Sequence, residues 1–136
     1  IQHDIDHKLT FALAKNRKGL SFNLLWLCRA LRFIIFLLTN LSPASAEFAA
    51  KETKHCATDA YERSIKPFHG FVLSNVFSTM MSRVPSRRKL IGVLSEGQSD
   101  AAVYSEMERF VAIASPMVEG LHAFFEQNGL NDPWRA

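Results

Sequence analysis

With 136 residues, 15.4 kDa and a hydrophobic fraction of 48%, the chain has the size and composition of one folded domain, which argues against a disordered segment. Sixteen Lys and Arg against 13 Asp and Glu leave a net charge of +3 and an isoelectric point near 9.1. That balance suits contact with an anionic surface but is too mild to specify a nucleic-acid partner. Cys28 and Cys56 make neither a metal-binding spacing nor a disulfide framework, so a reducing compartment is expected, the cytosol by default.

The chain opens on Ile1 without a basic-then-apolar leader and is expected to be a piece of something longer. Glycine is scarce and the prolines are scattered, which fits a helical protein. Over residues 2–15, Ile5, Leu9, Ala12 and Leu13 recur at helical spacing, and the polar stretch 16–19 ends the pattern. Ser21 is the expected N-cap of a helix over residues 22–41, with Leu24, Leu27, Cys28, Leu31, Ile34, Ile35 and Leu38 on one broad apolar face. A membrane span is disfavoured there, because Arg29 and Arg32 near the middle each cost about 2.5–3.5 kcal/mol on insertion. Residues 42–46 read as a linker, and 47–54 as a frayed turn or a loop. From 57 to 82, Tyr61, Ile65, Phe68, His69, Val72, Val76 and Met80 repeat at helical spacing with Pro67 inserted, which predicts a long kinked helix. Ser86 caps a short helix to about Leu94. The stretch Glu96-Gly97-Gln98-Ser99 opens a last helix to about Gln127, bent by Pro116 and Gly120.

No catalytic constellation stands out, so neither an enzyme nor a cofactor is expected. His3 and His7, spaced i,i+4 beside Asp4 and Asp6, lack a third ligand at a recognisable spacing and read better as a solvated polar face than as a metal site. Trp26, Arg29 and Phe33 fall at i, i+3 and i+7 and share a helix face. Together they offer an aromatic plate, a cation and a second ring to an amphipathic ligand; a core tryptophan with an arginine in a bundle ion pair is the competing reading. His69 follows Pro67 among apolar residues and needs a hydrogen-bond partner if buried, whether it serves structure or ligand. The basic group Arg83, Arg87, Arg88 and Lys89 either adds weak attraction to anionic lipid headgroups or is a solvated loop. DNA binding is disfavoured, since Leu90, Ile91, Val93 and Leu94 leave no face for bases.

Residues 24–38 (LLWLCRALRFIIFLL) and 59–77 (DAYERSIKPFHGFVLSNVF), followed by Pro85 and Lys89-Leu90-Ile91, resemble the glycolipid transfer protein family. The most specific parts are Trp-x-x-Arg-x-Leu-Arg-Phe, here Trp26, Arg29, Leu31, Arg32 and Phe33, and Ala60-Tyr61 with His69 eight residues after the tyrosine. The resemblance implies a single all-α domain over residues 1–136, a two-layer helical sandwich incomplete at its N-terminus. It implies a non-enzymatic, monomeric carrier of one sphingolipid, cytoplasmic and peripheral to membranes, with no nucleic-acid partner. By position Trp26 would stack the first sugar, His69 would hydrogen-bond the ceramide amide, Arg29 would support the centre, and Phe33 and Phe77 would line the chain pocket. Phe71 stands where the family often has an exposed tryptophan that meets the bilayer, with Arg87, Arg88 and Lys89 as further membrane contacts.

Two departures from the family pattern bear on the ligand. The family's headgroup helix, an Asp followed four residues later by Asn or Lys, would precede His3; Asp4 and Lys8 have the spacing but lie too close to Trp26, so that helix is expected to be missing. The phosphate-binding branch places arginines at the Trp26 position and four residues before it, where this chain has Trp26 and Phe22. A glycosylceramide is therefore the expected cargo, with a sphingolipid sensor or a ceramide phosphate carrier as alternatives.

Overall fold

The apolar stretch after Gly19 forms the helix around which the other elements are arranged. The computed structural model describes residues 19–131, with α1 at Leu20–Leu41, α2 at Thr53–Ser64, α3 at Phe71–Met81, α4 at Arg87–Ser95 and α5 at Asp100–Gln127. No strand forms among the described residues. The helix expected over residues 2–15, with Asp4, Lys8 and the His3/His7 pair, lies outside them.

α1 begins ahead of the expected cap. Gly19 takes the N-cap position, and Ser21 is buried in the first turn. The helix packs along both α2 and α5 and carries part of each of three apolar clusters. Near its start Phe22 and Leu25 meet Phe125 and Leu130. At mid-length Cys28 and Ile35 meet Val118, and at its end Leu41 joins Phe48, Cys56, Ile91 and Met107. Two neighbours shift the buried face from the one expected: Leu27 and Ile34 are exposed, because their i,i+7 spacing puts them on an edge that neither α2 nor α5 covers.

At 22 residues α1 is long and apolar enough to cross a bilayer. Its arginines instead bond to the C-terminal part of the fold. Arg32 Nε donates to Glu119 Oε1 at 2.8 Å, and Arg29 Nη2 donates to Asn131 Oδ1 at 2.9 Å. These bonds and the three clusters make α1 a core helix. Both cysteines are buried as free thiols.

The continuous kinked helix expected over residues 57–82 is two helices. Pro67 has no N–H to return to the preceding turn, so α2 stops at Ser64 and the chain makes a 3-10 turn over Lys66–Phe68. His69 and Gly70 are then extended, at ψ 131° and 178°, before α3 begins.

The link between α1 and α2 is a series of turns fastened from α4 by Arg87. Its Nη1 donates to Leu41 O at 3.0 Å and its Nε to Lys51 O at 2.9 Å. Its Nη2 faces Phe48 O at 2.7 Å, Asn40 O at 3.2 Å and Cys56 Sγ at 3.3 Å. Arg87 is therefore not the membrane contact expected of it. The last carbonyls of α1 have no donor within the helix, and the planar five-donor guanidinium serves them and the turn together. Arg83, Arg88 and Lys89 remain exposed.

The Ser86 cap is as expected, and the stretch 96–99 supplies the second cap through Ser99. Ser86 accepts from Lys89 N and Ser99 from Ala102 N, and α5 runs unbroken through Pro116. Ser99→Ala should lower stability by about 1 kcal/mol by removing that acceptor from the start of α5, measured as a drop in the urea midpoint. Ser99→Gly should cost only a few tenths of that unit.

Candidate functional site

Trp26, Arg29 and Phe33 project from α1 as their spacing requires, but in different roles. Arg29 is 2% exposed, with its Cζ 3.4 Å from the Phe68 ring centroid and 5.0 Å from that of Trp26. The guanidinium thus ties α1 to the 3-10 turn and, through Asn131, to the end of α5. Asn131 Nδ2 donates in turn to Glu126 Oε1. Trp26 is half-buried, edge-on to Phe22 at 6.3 Å between centroids.

The break at Pro67 brings the histidine to this tryptophan. In an uninterrupted helix His69 would stand about 12 Å along the axis from Tyr61, at 1.5 Å per residue. Here Tyr61 Oη lies 3.0 Å from His69 Nδ1. The His69 ring stacks on Trp26 with centroids 6.1 Å apart and planes at 24°. Tyr61 is itself buried and lies against Phe77 at 3.5 Å and 11°. Phe77 meets Phe33 edge to face at 6.2 Å. Four of the five expected ligand residues, Trp26, His69, Phe33 and Phe77, are thus joined into one string of rings by Tyr61, and the fifth, Arg29, lies against Trp26.

Burial pushes the His69 pKa below its usual value, since the charged imidazolium is poorly solvated there. A neutral imidazole has one N–H donor and one acceptor nitrogen. Nδ1 is engaged by Tyr61, and Nε2 makes no hydrogen bond among the described residues. The arrangement offers an aromatic plate, a neutral imidazole and a run of apolar rings leading away from both. That set matches a ligand with a sugar-like face, a polar acceptor and a hydrocarbon portion.

Phe71, the first residue of α3, is 83% exposed, and Val72, Val76 and Met80 continue an exposed apolar strip along the helix. No residue of α3 is buried. No group of three metal-ligating side chains occurs among the described residues.

Comparison with known proteins agrees with the architecture. The chain superposes on the GLTP-fold structure of FAPP2 with a TM-score of 0.77, at 20% identity, over 100% of this chain and 65% of that one. It also superposes on a mutant of Arabidopsis ACD11 complexed with C12 ceramide-1-phosphate, with a TM-score of 0.75 at 25% identity over 98% and 62% of the two chains. The fold is the all-α sandwich of these GLTP-fold structures. The chain belongs to the glycolipid transfer protein family: residues 1–96 match the family model described as Glycolipid transfer protein (GLTP). It is 31% identical to Glycolipid transfer protein 1 of Arabidopsis thaliana over 97% of this chain and 60% of that protein. Pleckstrin homology domain-containing family A member 8 of Homo sapiens is 26% identical over 96% of this chain and 25% of that protein. The chain thus spans about 60% of the length of its Arabidopsis relative.

Sequence reasoning named Tyr61 only as part of a motif and did not reach Phe68 or Asn131 as supports for Arg29. The available signal was Pro67 between Tyr61 and His69, which points to a turn that folds the second residue back on the first.

Proposed function

We propose that this chain binds a sphingolipid and moves it between membranes without making or breaking covalent bonds. The observation that carries the proposal is the Trp26–His69 ring pair, opening on the Tyr61, Phe77 and Phe33 rings. In this reading the Trp26 face takes the first sugar and His69 Nε2 donates to the ceramide amide carbonyl. Arg29 holds the two together from below, and the hydrocarbon chains part the rings of Phe33 and Phe77. The carrier works as a single monomeric domain, cytoplasmic and peripheral to membranes. Phe71 enters the bilayer surface while Arg88 and Lys89 face anionic headgroups, each basic residue adding about 1 kcal/mol near such a surface.

A glycosylceramide is the favoured cargo. A phosphate monoester carries a charge of about −1.5 to −2 and needs several convergent Arg or Lys donors. Phe22 and Trp26 meet edge to face where the phosphate branch would have arginines, and the guanidinium of Arg29 is already bonded to Asn131. The ACD11 complex with ceramide-1-phosphate supports the competing reading of a ceramide phosphate carrier. Vesicle-to-vesicle transfer decides between them: a monoglycosylceramide should move faster than ceramide phosphate. A preference for the phosphorylated lipid overturns the glycolipid assignment, and absence of transfer with retained binding favours a sensor.

A further inference from the structure

We infer that Tyr61 is a positioning residue, whose hydroxyl donates to His69 Nδ1 and thereby keeps the imidazole proton on Nε2. The role rests on the reading of His69 as the donor to the ligand's amide carbonyl, and it adds what makes that donation possible. A neutral imidazole divides its nitrogens between donor and acceptor, and the partner of one fixes the state of the other. The phenol has one proton and two neighbours, His69 Nδ1 at 3.0 Å and Ser74 Oγ at 3.4 Å. The imidazole nitrogen is both the nearer and the more basic acceptor, so the phenol proton goes there. Ser74 Oγ, at 3.4 Å, is too distant to compete for that proton.

Two further contacts give this bond a fixed direction. Tyr61 is 4% exposed, and its ring lies 3.5 Å from that of Phe77 with planes at 11°, so the hydroxyl has little room to swing. On the other side the stacking on Trp26, with planes at 24°, limits rotation of the imidazole. Without the phenol the proton is shared between the two nitrogens, and the fraction of protein able to donate from Nε2 falls. The polar reach of the site is thus set by a residue whose hydroxyl meets the other nitrogen of the ring.

The test uses the uniformly 15N-labelled protein. Long-range proton–nitrogen correlation spectra at neutral pH should show a pyridine-type Nδ1 and a pyrrole-type Nε2 for His69. Tyr61→Phe keeps the ring and its stack on Phe77 and removes only the hydroxyl. It should mix the two tautomers and reduce uptake of a monoglycosylceramide from phosphatidylcholine vesicles about twofold, the loss expected when half of the molecules carry the proton on Nδ1. Ser74→Ala should leave both the tautomer and uptake unchanged, since 3.4 Å is long for a bond between two hydroxyls. A pyrrole-type Nδ1 in the wild-type protein overturns the assignment whatever the lipid result, and also decides the matter if Tyr61→Phe does not fold. A folded Tyr61→Phe protein with undiminished uptake overturns the positioning role while leaving the glycolipid reading intact. A wild-type protein that takes up no monoglycosylceramide overturns the glycolipid reading; uptake of ceramide phosphate, which carries the same amide, then tests the positioning role, and uptake of neither lipid overturns it.

Discussion

Arg87→Ala is expected to destabilise the protein by about 2–4 kcal/mol, since charge-assisted hydrogen bonds contribute about 1.5–3 kcal/mol each and those lost are not independent. The guanidinium holds the carbonyls of Asn40, Leu41, Phe48 and Lys51 at 2.7–3.2 Å. Its loss releases the end of α1, the turns after it and the start of α4 together. Arg87→Lys should recover little, because one ammonium cannot reach acceptors spread around a planar fork. Arg88→Ala and Lys89→Ala, at exposed positions, should stay within about 0.5 kcal/mol. Chemical denaturation of the four variants measures this. Equal stability of Arg87→Ala and Arg88→Ala would return Arg87 to the surface role first expected of it.

Trp26→Ala is expected to weaken glycolipid uptake by about 1–3 kcal/mol, a factor of roughly 5 to 150, as for an aromatic anchor at the centre of a recognition site. Its cost to folding should be smaller. Trp26 is half-buried, and the Phe22, Leu25, Phe125 and Leu130 cluster beside it keeps its own contacts. Trp26→Phe should restore part of the uptake by supplying a smaller plate. Uptake from vesicles and a melting curve on the same preparations separate the two effects. Unchanged uptake, or an unfolded protein, would make Trp26 a packing residue.

Several parts of this site can be read in the sequence because they are set by local spacing. Trp26 and Arg29 sit one turn apart on α1, and the Ser86 cap acts within three residues. Other parts depend on distant partners. Arg87 is one of four basic residues between 83 and 89, and only the placement of carbonyls 36 to 47 positions away marks it as the one turned inward. Leu27 and Ile34 satisfy a helical apolar pattern, yet the pattern does not say how many neighbours a helix has. The segment from Tyr61 to Met80 keeps its apolar period across the break, since residues on either side still cover one face. Periodicity therefore reads as a kink what is in fact a 3-10 turn and an extended pair, and the contact between Tyr61 and His69 exists only because of that difference.

α3 has no buried residue, and its most covered side chains, Leu73, Ser74 and Phe77 among them, are only half-buried. Detaching it costs few apolar contacts, whereas moving α1 would disrupt all three clusters. The fold therefore has a graded stability, with α3 at the low end, where local opening precedes global unfolding. On the proposed function, hydrocarbon chains would be admitted by parting Phe77 from Phe33 while α1, α2 and α5 stay assembled. On that proposal, loading and folding would draw on separate sets of contacts, and the protein would open without passing through its unfolded state.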